Sequence, residues 1–196
     1  MNMSMDFVGV PPEFKNAKLS DFDVAVTSRF ALLGMREDQM PWLFISGPTG
    51  VGKTHLAAAI CNRIFREDGV FFPHYWPYFI NPQQMIDRIN STYHNDSSET
   101  KEKVMDKYYG YGVIRYTGTT DLPIPMVIDD IGIENKSSPD IENIVSVRGN
   151  YRAVTIFTSN LSLDDLAKKY SDRIASRIRG LAIPIVMTGK DRRGTR

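Results

Sequence analysis

The segment Gly47-Pro48-Thr49-Gly50-Val51-Gly52-Lys53-Thr54 constrains this chain more than any other, because it satisfies G-x-x-x-x-G-K-[ST] at every fixed position. Its flanks match the context such a loop needs. The apolar run Trp42-Leu43-Phe44-Ile45-Ser46 precedes it as a buried strand would, and Thr54-His55-Leu56-Ala57-Ala58-Ala59-Ile60 follows with the composition of a helix start. Strand, glycine loop and helix N-terminus together make an anion site: glycines let backbone N–H groups converge, and the helix dipole adds positive potential. In this reading Lys53 reaches the β and γ phosphates of a nucleotide and the Thr54 hydroxyl ligates Mg²⁺. His55, next along, joins the loop residues as cofactor-binding.

A chain of 196 residues suits one α/β domain with a proper core. Its net charge of +1 is uninformative, but its distribution is not. From Leu166 to Arg196 nine Lys/Arg face two Asp, a net of +7 that leaves −6 for the remainder. A basic C-terminal block hints at a polyanion or nucleotide contact, with a solvated helix face and loose tail as the alternative. Cys61 is the only cysteine, which excludes an internal disulfide and a cysteine zinc site. No apolar run reaches about 18 residues and no secretory signal opens the chain, so a cytoplasmic protein without membrane contact is expected.

Periodicity places strands at 42–46, at the end of 71–80, at 125–130, 153–158 and 183–187. Helices are predicted over 19–33, 53–66, 83–90, 139–149, 163–169 and 172–179. Alternating strands and helices argue for a parallel sheet covered on both faces.

Three further sites carry chemistry. Val127-Ile128-Asp129-Asp130 is a strand ending in two carboxylates, about 75 residues beyond the phosphate loop. Asp129 would hold Mg²⁺, and Asp130 would orient or deprotonate the attacking water. Asn160, closing the apolar strand before it, reads either as a sensor of the γ-phosphate or as a turn residue capping the next helix. Arg173 and Arg177 share one helix face, for phosphoryl-transfer charge on a neighbouring subunit or for surface ion pairing; composition does not choose.

Taken in order, GPTGVGKTHLA, VIDDIGIE, TIFTSNL, SRIRG and GKDRR resemble the AAA+ ATPases of the DnaC/DnaI helicase-loader group, whose relatives include IstB-type transposition helpers. The resemblance runs from about Gly9 onward. It implies a P-loop NTPase with an AAA+ core, a five-stranded parallel sheet between helices, over 41–196 after an N-terminal extension at 1–40. It also implies ATP and Mg²⁺ as cofactors, weak ATPase activity stimulated by assembly or DNA, and delivery of a hexameric DnaB-type helicase onto single-stranded DNA. Carried over by position, Gly47 to Thr54 bind ATP, Thr54 and Asp129 hold the metal, Asp130 polarises water and Asn160 is sensor 1. Arg177 becomes an arginine finger acting in trans through self-association, and Arg193 the sensor 2 arginine. An IstB-like transposition helper or regulatory ATP-dependent adaptor is the alternative. A metabolic P-loop kinase is a third reading, opposed by the Thr158-Ser159-Asn160 signature. In initiator-like ATPases an inserted helix in the 93–120 region grips single-stranded DNA. Lys101, Lys103, Lys107, Tyr108 and Tyr109 are candidates for that role, unless they belong to an ordinary surface helix.

Overall fold

Strand β1 (Trp42–Ser46) alternates its side chains between two apolar layers, and this explains why nearly every residue in it is hydrophobic. Trp42 and Phe44 point into one layer, Leu43 and Ile45 into the other. The computed structural model describes residues 10–22, 42–63, 78–93, 99–109, 125–134 and 138–192. Besides β1 these form β2 (Tyr78–Ile80), β3 (Met126–Ile128), β4 (Thr155–Ser159) and β5 (Ala182–Val186). The helices are α1 (Lys53–Asn62), α2 (Pro82–Ser91), α3 (Lys101–Tyr109), α4 (Pro139–Asn150), α5 (Leu163–Lys169) and α6 (Asp172–Leu181).

The strands form one sheet in the order β2-β3-β4-β1-β5 with every pair parallel. In register, Phe44 lies beside Phe157 of β4 and Pro184 of β5. The chain leaves β1 for the far edge and returns through β3 and β4. The C-terminal ends of β1, β3 and β4 therefore gather at one rim, which is where an open α/β sheet binds ligands.

The expected strand and helix positions hold to within two or three residues wherever they fall inside the described segments. The predicted helix over 19–33 appears there only as a short 3-10 turn, Leu19–Asp21; residues 23–33 and 64–66 lie outside the described residues. Local chemistry sets several boundaries. Asn81 caps α2, accepting from Gln84 N–H at 2.8 Å while the Gln84 side chain accepts from Asn81 N–H at 3.3 Å, and Pro82 occupies the first turn. Ser162 and Ser171 cap α5 and α6 in the same way.

Helix α3 corrects one expectation. Tyr108 does not present its ring to a nucleic acid: it is 1% exposed, packed with Val104 and Met105 in the core. Lys107 pairs with Glu99 at 2.5 Å, a carboxylate Arg88 also holds, and Lys101 pairs with Asp140 at 3.0 Å. The Tyr109 hydroxyl accepts from Asn143 at 2.6 Å. The apolar stripe at helical spacing packs α3 into the protein, so the segment behaves as a core-facing helix. Among the described residues no helix is long and apolar enough to cross a membrane.

Candidate active site

Where β1 ends, the backbone turns through conformations that favour glycine: φ is 80° at Gly50 and 101° at Gly52, the residue that caps α1. Lys53 then begins α1 with its side chain folded back over the loop and only 5% exposed. Its ammonium donates to Pro48 O at 2.9 Å and to Asn160 Oδ1 at 2.6 Å. Asn160 therefore reaches the phosphate-loop lysine from the end of β4. The cap of the following helix is supplied by Ser162, which removes the capping alternative.

Thr54 meets the acidic pair. Its hydroxyl donates to the Asp129 carboxylate, 3.1 Å from Oδ1 and 3.3 Å from Oδ2. Thr158 donates to Asp129 Oδ1 at 2.6 Å and accepts from Asp130 N–H at 2.8 Å, tying the end of β3 to β4. Burial raises the Asp129 pKa, and the neighbouring Asp130 charge adds to this; hydrogen bonds from Thr158 and Thr54 and the Lys53 charge pull the other way. Asp130 sits at φ 56°, a left-handed conformation that costs energy for a residue with a side chain. That turn takes Asp130 off the strand and onto the wall of the cleft.

The cleft holds about 680 Å³. Gly50, Gly52, Lys53 and Thr54 line it from the loop, Asp129 and Asp130 from the strand ends. Pro11, Glu13, Phe14, His55 and Arg192 also contribute to its walls. His55 is held by the N-terminal segment: its ring stacks on Phe14 at 5.4 Å, meets Phe22 edge-on at 5.1 Å, and lies 3.1 Å from Asp21 Oδ2. Asn62, about two turns further along the same face of α1, donates to the carbonyls of Phe14, Lys15 and Ala17.

The residues fit a magnesium nucleotide. Left-handed glycines give a loop with backbone N–H groups free to converge, and a hydroxyl touches a carboxylate at the rim. No cluster of three or more His, Cys, Asp or Glu exists among the described residues. A metal held by Thr54 and Asp129 would thus complete its shell with phosphate oxygens and water, as Mg²⁺ characteristically does.

Other expected site residues fare differently. Arg177 is half-buried and does not line this cleft; it donates to Ser146 O at 2.9 Å and Asn150 Oδ1 at 2.7 Å, anchoring α6 to the end of α4. Arg173 is exposed on the same side. Arg193 lies outside the described residues, but its neighbour Arg192 lines the cleft and donates its N–H to Gly50 O at 3.1 Å.

Two contributors escaped the sequence reading. Thr158 orients both acidic residues, and a hydroxyl inside an apolar strand was the available signal. Glu134, 2% exposed, accepts from Gly132 N–H at 3.1 Å and from the Tyr170 hydroxyl, while Lys169 binds Gly132 O at 2.6 Å. Together they pin the loop that follows Asp130.

No protein-family model matches the chain. It is 23% identical over 190 residues to the replicative helicase loader DnaC of Escherichia coli (strain K12), covering 91% of this chain and 69% of DnaC. It is 26% identical over 167 residues to the replicative helicase loader DnaI of Bacillus subtilis (strain 168), covering 77% of this chain and 47% of DnaI. The crystal structure of DnaI superposes with a TM-score of 0.67 at 25% identity, over 92% of this chain and 96% of that one. In sequence and in fold the chain is therefore similar to the DnaC and DnaI helicase loaders.

Proposed function

We propose that this chain is an ATP-dependent loader of a replicative helicase, acting in the cytoplasm during DNA replication. The observation that carries the reading is the pairing of Lys53 with Asn160 at 2.6 Å and of Thr54 with Asp129 at 3.1 Å, where Lys53, Thr54 and Asp129 line one cleft. Three elements supply these groups, α1 and the ends of β3 and β4, and phosphoryl transfer needs them together because it is catalysed mainly by positioning and charge. The Lys53 ammonium exchanges Pro48 O and Asn160 for phosphate oxygens. Thr54 and Asp129 would hold Mg²⁺, and the ion, when bound, would supply positive charge against the phosphates. Asn160, released from Lys53, hydrogen-bonds the γ-phosphate or the attacking water, and Asp130 accepts that water's proton. Arg177 of an adjoining copy, acting in trans, and Arg193 acting in cis belong to the same proposal.

The partner follows from the likeness to DnaC and DnaI, both named as replicative helicase loaders. Hexameric helicase and single-stranded DNA are the expected partners. ATP turnover measured with and without single-stranded DNA, on the native chain and on Lys53→Ala, tests the nucleotide half of the proposal. Turnover is expected to fall roughly 100-fold or more in the variant. Absence of nucleotide binding by the native chain would end the reading. A pulldown that recovers a transposase in place of a helicase ring would move the chain to the transposition-helper class.

A further inference from the structure

The segment after β5 runs along the outside of the phosphate loop and touches it at both ends. Met187 N–H donates to Ser46 O at 2.7 Å, and a Cβ built on Gly47 would collide with the Met187 carbonyl. Five residues on, Arg192 N–H donates to Gly50 O at 3.1 Å, and a Cβ built on Gly50 would fall on the Asp191 carboxylate. Gly50 is thus glycine for two reasons, its φ of 80° and the acidic group lying where a side chain would stand. From this strap Arg192 reaches the cleft wall while Asp191 abuts the loop.

We infer that residues 187–192 are a latch on the phosphate loop, and that the Asp191 carboxylate tunes nucleotide affinity by opposing the phosphates. The inference rests on the nucleotide reading of the cleft. A phosphate gathered by the amides of residues 50–53 arrives beside a fixed negative charge one side chain away. Like charges at that range repel, and the repulsion is relieved when the strap swings off Gly50. Nucleotide binding then breaks the Arg192–Gly50 hydrogen bond and moves the basic residues Lys190 and Arg192 with it. Asp191 is a positioning residue: it acts through the loop and takes no part in bond making.

The test compares binding of a non-hydrolysable ATP analogue to the native chain, Asp191→Asn and Lys53→Ala. Asp191→Asn changes charge at nearly constant shape on an exposed side chain, so its melting temperature serves as the folding control. The variant is expected to bind roughly five- to tenfold more tightly at about 0.05 M salt, with the gain shrinking at about 0.5 M as screening removes the charge term. A second measurement uses space in place of charge: Asp191→Ala should restore part of the affinity that Gly50→Ala loses, because the two groups compete for one volume. Equal or weaker binding by Asp191→Asn, with native binding intact, overturns the latch alone. Failure of the native chain to bind the analogue overturns the nucleotide reading and the latch with it.

Discussion

The two faces of the sheet are built on different plans. On the face covered by α2 to α6, the core is bulky: Trp42, Phe44, Met85, Tyr108 and Phe157 fill it, with Trp42 and Phe157 rings 5.2 Å apart. It also encloses a fully buried guanidinium, Arg148, bonded to Thr155 Oγ1, Tyr108 O and Val154 O. The opposite face is covered by α1 and the N-terminal segment, where Ala57, Ala58 and Ala59 are all inaccessible. Small residues let α1 lie close to the strands, so its first turn delivers Lys53 and Thr54 to the rim. One face supplies stability through volume, and the other places the cation and hydroxyl through closeness.

The largest effect expected from breaking this division is at Arg148. Burial holds its pKa down, to about 9, and its hydrogen bonds to Tyr108 O, Val154 O and Thr155 Oγ1 join α3, α4 and β4. Arg148→Ala leaves a cavity and removes the donor to Tyr108 O, so unfolding in urea should show a loss of about 3–5 kcal/mol. Arg148→Met, which restores volume but no donors, should lose less. A cost under about 1 kcal/mol for the alanine variant would mean that the bulky face is not held by this residue.

The same contrast governs what the amino-acid sequence reveals. The phosphate loop, Asp129 and Asn160 are legible because each ends a strand, and strand ends in a parallel sheet meet at a predictable rim. Arg148 is not legible, because its partners Tyr108 and Thr155 become neighbours only when three elements pack. Asn62 is hidden for the same reason: its three acceptors lie 45 to 48 residues back in the chain. Asp191 reads as one charge in a basic tail until the strap is seen against Gly50. Tyr108 stays ambiguous in the sequence for a different reason: its lysine neighbours fit a nucleic-acid surface or an ordinary surface helix, whereas Val104, Met105 and Tyr108 form a buried helical stripe.

A smaller effect is expected at Arg177, where the bulky face meets the proposed chemistry. Two acceptors on α4, Ser146 O and Asn150 Oδ1, hold this guanidinium within its own chain. Reaching a neighbouring subunit's nucleotide requires releasing them. Arg177→Ala should therefore cost about 1 kcal/mol of stability, keep ATP affinity, and lose turnover only at concentrations where copies assemble. An equal loss of turnover in strictly monomeric protein would contradict a role in trans.

The mildest change sharpens the comparison most, because it separates stability from chemistry on the functional face. Asp129 is a carboxylate whose pKa is raised, chiefly by burial and then by Asp130. The sign follows: a raised folded pKa favours the protonated form, so this group's contribution to stability is full below the unfolded-state value of 3.8 and is lost as pH rises through the folded value. At neutral pH the nucleotide-free protein therefore carries a buried charge at a cost. Asp129→Asn keeps an acceptor for Thr158 and Thr54 and removes that charge, so its melting temperature without metal should rise at pH 7 and approach the native value in acid. Stabilisation by Mg²⁺ and nucleotide should disappear in the same variant, because the metal needs the anionic oxygen. A variant that melts lower than the native protein at pH 7 would show that the Asp129 charge is already compensated, and the functional face would then hold no strain for the metal to relieve.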